Sequence, residues 1–139
     1  MRTRHTALAA AVIGLAALLP ATASAVTPNF RTPSGNIGCD MRAGSVRCDI
    51  LSYSYRPPRK PADCDFDWGG AISINKRGRA RFICYSDTVM PPPGRARTAR
   101  YGQTVYRNGF SCAVSTAGVT CRNPAGHGFF ISRQSYRRF

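Results

Sequence analysis

The chain predicts an all-β fold, a small antiparallel sheet or partly closed barrel of about seven or eight short strands, built from hairpins and stapled by three disulfides. Three observations carry that prediction. Apolar residues alternate with polar ones on both sides of several glycine turns, the pattern of half-buried strands. Six cysteines are present, and the first and last pairs share one spacing, C-x8-C. Proline-rich stretches separate the alternating segments and exclude long helices there.

Residues 1–25 read as a secretory leader. Arg2, Arg4 and His5 form a charged start, residues 7–19 an apolar run, and Ala23-Ser24-Ala25 a small-residue cleavage signal. The apolar run is shorter than the roughly 20 residues a spanning helix needs, and no later stretch approaches that length, so no transmembrane segment is expected. Residues 26–139 then form a single domain of 114 residues, near the commonest domain size.

In the first hairpin Ile37, Cys39 and Met41 alternate with Gly38, Asp40 and Arg42, and after Ala43-Gly44 the pattern resumes with Val46, Cys48 and Ile50. Setting Cys39 against Cys48 also sets Met41 against Val46, Ile37 against Ile50 and Asp40 against Arg47. A one-residue slip would turn the apolar set into water. Ala43 suits a primed two-residue turn poorly, which favours a wider loop.

The second hairpin spans 71–84 around Lys76-Arg77-Gly78, with Gly78 in the left-handed position, Ile72 against Phe82 and Ile74 against Ala80. Ser73, Asn75, Arg79 and Arg81 then share its wet face. Asn108-Gly109 is the strongest turn signal in the chain and joins strands at 103–107 and 110–115. A turn at 116–118 returns the chain with Val114 opposite Val119 and Cys112 opposite Cys121. A last apolar strand follows at 128–132, and the segment from Arg133 is expected to form a short helix. Residues 56–61 and 90–94 read as surface loops, the second running into the basic stretch 95–100.

Opposed positions in an antiparallel pair bring β-carbons within disulfide reach. The registers therefore favour Cys39–Cys48 and Cys112–Cys121, which leaves Cys64–Cys84. Each closure stabilises by roughly 3 kcal/mol in the loop-entropy view. The repeated C-x8-C hairpin fits an internal duplication and two uses of a common device equally well.

Twenty Lys and Arg against six acids give a net charge of +14, and all six acids are aspartates. Removing the leader takes two arginines and no acid, leaving +12. Such a charge concentrates polyanions and speeds encounter with acidic partners. For an exported protein these are an anionic envelope polymer or an acidic protein; no motif for specific nucleic-acid reading accompanies the arginines. Arg79 and Arg81 beside one hairpin tip, with Arg95, Arg97 and Arg100 in the proline-rich loop, are the expected contacts. Tyr53, Tyr55 and Trp68 are candidate stacking surfaces. The competing reading spreads the arginines around the domain as solubilising charge.

His127, between Gly126 and Gly128, is the single histidine after the leader. It could act as a base or donor, with Asn36 as a second candidate if the two halves bring them together. A glycine loop that merely carries a histidine is the favoured alternative. Ser111 lacks the final glycine of a nucleophile elbow. Asp63, Asp65 and Asp67 mimic a calcium loop, but Trp68 stands where glycine is required and Ile74 where glutamate is required. Without C-x-x-C pairs no zinc site forms either, and no metal or cofactor is expected.

The stretches F-R-T-P-S-G-N-I-G-C at 30–39, C-Y-S-D-T-V at 84–89, Y-G at 101–102 and G-V-T-C-R-N-P-A-G-H-G-F-F-I-S-R at 118–133 resemble a family of small secreted actinomycete proteins classified only as a domain of unknown function. The resemblance implies export, one domain and disulfides, and brings no catalytic residues. At Ser86 and Ala125 the chain departs from the family pattern, so no role rests on those side chains.

These readings converge on a secreted, non-enzymatic binding module that meets an acidic partner at or outside the cell envelope. One alternative is a secreted inhibitor of an extracellular protease or lytic enzyme, presenting the loop 123–128. A small hydrolase using His127 ranks last.

Overall fold

The computed structural model describes residues 29–139, and the leader expected at 1–25 lies outside them. Among the described residues there is no helix, and eleven short strands form two sheets. The first sheet contains β1 (Asn29–Arg31), β2 (Ile37–Met41), β3 (Ser45–Ile50), β4 (Ala71–Asn75), β5 (Arg81–Phe82) and β6 (Arg97–Thr98), in the order β5-β4-β3-β2-β1-β6. The second contains β7 (Thr104–Arg107), β8 (Phe110–Ser115), β9 (Gly118–Arg122), β10 (Gly128–Ile131) and β11 (Tyr136–Arg138), in the order β11-β10-β9-β8-β7. Neither sheet closes into a barrel. Every pairing between these strands is antiparallel except β1 with β6.

The expected all-β architecture and all three disulfides, Cys39–Cys48, Cys64–Cys84 and Cys112–Cys121, are present. So are the registers that alternation dictated. Cys39 faces Cys48 with Met41 on Val46 and Ile37 on Ile50, and Cys112 faces Cys121 with Val114 on Val119. Asn108 at φ 52° and Gly109 at φ 83° make the left-handed two-residue turn that Asn-Gly favours.

Four local expectations are corrected. The β2–β3 loop stays at two residues, with Arg42 N donating to Ser45 O at 2.9 Å, and neither Ala43 nor Gly44 is left-handed. Gly78 is not left-handed either; its carbonyl accepts a hydrogen bond from Asn123, so the hairpin tip is held from outside. The segment after Arg133 is not a helix. Ser132 and Ser135 close a turn through backbone and hydroxyl bonds, and the chain returns as β11 beside β10. Finally, the basic stretch at 95–100 is not all loop, because Arg97 and Thr98 pair with β1 as an edge strand.

That parallel edge has a topological cause. The chain leaves β5 at one margin of the first sheet and must reach β6 at the other, so residues 83–96 cross the sheet's outer face. Polar residues on that face fasten the crossing. Asp49 accepts from Thr88 Oγ1 at 3.0 Å and Val89 N at 2.9 Å, while Arg47 donates to Asp87 Oδ1 at 3.0 Å and to the Asp87 carbonyl at 2.7 Å. Gly38 leaves room for Met90 and Pro91 to lie against β2; a Cβ there would sit 2.7 Å from the Met90 sulfur. Hydrogen bonding to Arg47 holds the Asp87 carboxyl below its ordinary pKa.

The inner faces of both sheets share one core. Phe30, Phe110 and Phe129 are its largest fully buried side chains, and the disulfides of β2–β3 and β8–β9 meet within it. Cys48 Sγ and Cys121 Sγ lie 3.7 Å apart, a van der Waals contact between two oxidised pairs. At one flank Tyr55, Phe82 and Tyr136 pack edge to face, with Tyr136 at 5.2 Å from Tyr55 and 4.8 Å from Phe82.

Candidate binding site

Five connections meet around a cleft of about 380 Å³. Gly35, at φ 71°, allows the tight β1–β2 turn, and the buried Thr32 hydroxyl bonds both Ile37 and Ser34 within it. Asn36 brackets the backbone of Ser52 after β3, accepting from its N and donating to its O, each at 2.9 Å. That pair of bonds orders the wall and leaves the Asn36 amide engaged.

The opposite wall comes from the second sheet. Thr116 and Ala117 form the two-residue β8–β9 turn, and Ser132, Arg133 and Gln134 lie in the β10–β11 turn. The Arg133 carbonyl accepts from Ser54 N at 2.7 Å and Ser54 Oγ at 3.3 Å, which fixes the backbone that carries its guanidinium. Among the described residues no carboxylate pairs with Arg133. Tyr101, 46% exposed, stands at the margin on the β6–β7 connection, whose Gly102 N donates to Val114 O at 2.7 Å. No aspartate lines the cleft. Its chemistry is hydroxyl and amide walls, one free cation and one exposed ring.

A second, open cleft of about 540 Å³ adjoins it through the same Tyr101 and is lined by Arg97, Arg100 and Gln103. Arg95 lines a third hollow beneath the crossing segment, beside Met90 and Pro91. Arg95, Arg97 and Arg100 thus share the β6 margin. Arg79 and Arg81 do not join them: Arg81 begins β5 and Arg79 lies just before it, at the opposite margin, five strand steps away, or roughly 24 Å at about 4.8 Å per step. The five expected contacts form two groups.

The expected stacking aromatics are largely spent on the core. Tyr55 is buried, stacked on Tyr53 at 4.4 Å, and donates its hydroxyl to Gly69 O at 2.7 Å. Trp68 packs on Phe82 and donates its indole N–H to Pro58 O at 2.8 Å. Tyr101, Tyr106 and Phe66 are the exposed rings.

Asn36 and His127 are not brought together. His127 precedes β10 and the cleft residue Ser132 follows it, so the strand's length separates them. The loop 123–127 is folded around Asn123, whose Oδ1 accepts from Ala125 N at 3.1 Å and His127 N at 3.0 Å. The His127 imidazole has no hydrogen-bond partner among the described residues, and Asp87 is occupied by Arg47. Asp63, Asp65 and Asp67 are all solvent-exposed. Cys39, Cys48 and Cys121 cluster their sulfurs within 4.8 Å, but as disulfide sulfurs they offer no thiolate to a metal.

Arg133 and the hydroxyl-bearing turns were not singled out from sequence. Each serine or threonine is an ordinary turn residue, and only the packing of one sheet on the other converts them into a wall. Three of the four stretches that carry the family resemblance reach this cleft, through Thr32 to Ile37, Tyr101, and Gly118 with Ser132 and Arg133.

No curated protein and no solved structure matches the chain. A family profile does match, over residues 9–139, and the chain belongs to that group, described as a family of unknown function (DUF6636).

Proposed function

We propose that this protein is a non-enzymatic binding module that contacts an acidic partner at or outside the cell envelope through the β6 margin. One observation carries the reading: Arg97 and Arg100 line an open cleft with the exposed ring of Tyr101, and neither guanidinium is neutralised by a carboxylate among the described residues. Planar guanidinium forks match carboxylate and phosphate oxygens, and such groups in an acid-free cleft keep their charge for a partner. Three disulfides suit the oxidising surroundings in which such a partner is met.

Retention on an anionic polymer resin at rising salt tests the proposal. The wild type should be held more strongly than an unrelated protein of matched charge, and Arg97→Gln with Arg100→Gln should lower the elution salt more than Arg79→Gln with Arg81→Gln. Equal effects of the two pairs would reduce the binding to bulk charge.

A second reading, the secreted inhibitor, is favoured by the fastening of loop 123–127. Its backbone is pre-ordered by Asn123, so little entropy would be lost on entering an enzyme cleft. Turnover assays with extracellular proteases and lytic enzymes, without polymer present, separate it from the first.

A further inference from the structure

We propose that the cleft between Thr32, Tyr101, Thr116 and Arg133 binds one carboxylated pyranose unit of an acidic glycan. This rests on the reading above and gives its acidic partner a chemistry. The cleft's volume of about 380 Å³ falls in the range of small-ligand sites and accommodates a single sugar ring. Among the polar side chains on its walls, the Ser52 and Thr116 hydroxyls and the Gln134 amide make no internal hydrogen bond among the described residues, and such groups both donate and accept as sugar hydroxyls do.

The charge pattern selects the acidic sugar. Arg133 is the one cation on the lining, it is exposed, and no carboxylate among the described residues engages it. Its backbone is anchored by Ser54, so the fork starts from a fixed point. The acids of the outer face lie elsewhere, Asp40 with Arg42, and Asp49 and Asp87 with Arg47. A ligand carboxylate entering the cleft therefore meets a cation and no opposing anion. Tyr101 offers a ring face at the margin, where the apolar face of a pyranose packs.

Tyr101 also explains how one ring would extend into a polymer. It belongs to this cleft and to the neighbouring one lined by Arg97 and Arg100, so a chain leaving the first passes directly over the second. One cleft reads the unit and the margin holds the flanking charges.

Titration calorimetry with tri-galacturonate, its fully methyl-esterified form and tripolyphosphate tests the assignment, with disulfide mapping and circular dichroism confirming that each variant is folded. The expected result is saturable one-to-one binding of tri-galacturonate, about tenfold weaker for the ester and for Arg133→Gln or Ala117→Trp. Tripolyphosphate should respond to Arg97→Gln with Arg100→Gln and be indifferent to Ala117→Trp. If Arg133→Gln and Ala117→Trp bind tri-galacturonate as the wild type does, or if the ester binds equally, the cleft assignment is overturned. When resin retention still follows Arg97 and Arg100 in that case, the broader proposal stands without it. Conversely, tri-galacturonate binding that is sensitive to Ala117→Trp, in a protein with no specific resin retention, would support the cleft and remove the margin. Should Ala117→Trp fail to fold, Arg133→Gln alone decides, because its side chain is exposed.

Discussion

Asn123 ties one sheet to the other: its Nδ2 donates to the Gly78 carbonyl at 2.9 Å and to the Asn75 carbonyl at 2.7 Å, across 45 and 48 residues of chain. Its Oδ1 meanwhile accepts from two amides of its own loop. This buried amide uses all its hydrogen-bonding capacity, so it orders a hairpin tip of the first sheet and a turn of the second together.

Asn123→Ala should therefore cost about 2–4 kcal/mol in urea denaturation, since four part-buried hydrogen bonds are lost together. Asn123→Asp should be worse at neutral pH, because a carboxylate would face two carbonyl oxygens. Partial recovery on acidification would identify the charge as the cause.

The three disulfides should differ in their response to mild reductant. Cys39, Cys48, Cys112 and Cys121 are fully buried, whereas Cys84 is exposed. Exchange needs access of a thiolate to sulfur. Mass mapping after brief native-state reduction should find Cys64–Cys84 open first, with the other two opening at the rate of global unfolding.

Asp49 should be the residue on which the crossing segment depends. It is buried and joins Arg47, Thr88 and Val89. Asp49→Ala removes a buried, paired charge and should cost about 3 kcal/mol, with loss of exchange protection at the Val89 amide. Asp87 lies at the exposed end of the same cluster, and its pKa is held down by Arg47. The stabilisation it supplies is complete above the ordinary carboxylate range and disappears as pH falls through the lowered value. Asp87→Asn should lower stability slightly at neutral pH and flatten the acid limb by the same amount, so that variant and wild type converge at low pH.

High pH should destabilise the fold through Tyr55. Burial pushes its phenol pKa up, with Tyr53 adding to the shift, while the unfolded chain ionises near the ordinary value of 10. Above that pH the unfolded state releases a proton that the fold retains, so stability falls by up to about 1.4 kcal/mol per pH unit. Tyr55→Phe should reduce this slope, at the expense of the hydrogen bond that the Tyr55 hydroxyl donates to Gly69 O. Denaturation midpoints at pH 9, 10 and 11 measure both.

Much of the fold was legible because its strongest contacts are local. Cys39 and Cys48 are nine residues apart, and alternation on either side of Ala43-Gly44 permits one register. The same holds for Cys112 with Cys121. What escaped was non-local. Phe30 opposite Arg97 is a parallel pair with no turn between its strands to announce it, and β1, β5, β6 and β11 are only two or three residues long. The arginines were individually visible, but their division between β5 and β6 depends on strand order, which no periodicity encodes. Tyr55 read as a surface ring because it precedes Arg56; only the approach of Phe82 and Tyr136 makes it core.

The strand order has one more consequence. All of the first sheet lies within residues 29–98 and all of the second within 104–139, and each disulfide joins two cysteines on the same side of residues 99–103, Cys39–Cys48 and Cys64–Cys84 before them and Cys112–Cys121 after. Apart from the short connection 99–103, nothing covalent spans the seam. A nick there would yield two separately oxidised pieces whose reunion depends wholly on surface complementarity, so the molecule carries the makings of a split reporter whose reassembly reads the strength of its own interior.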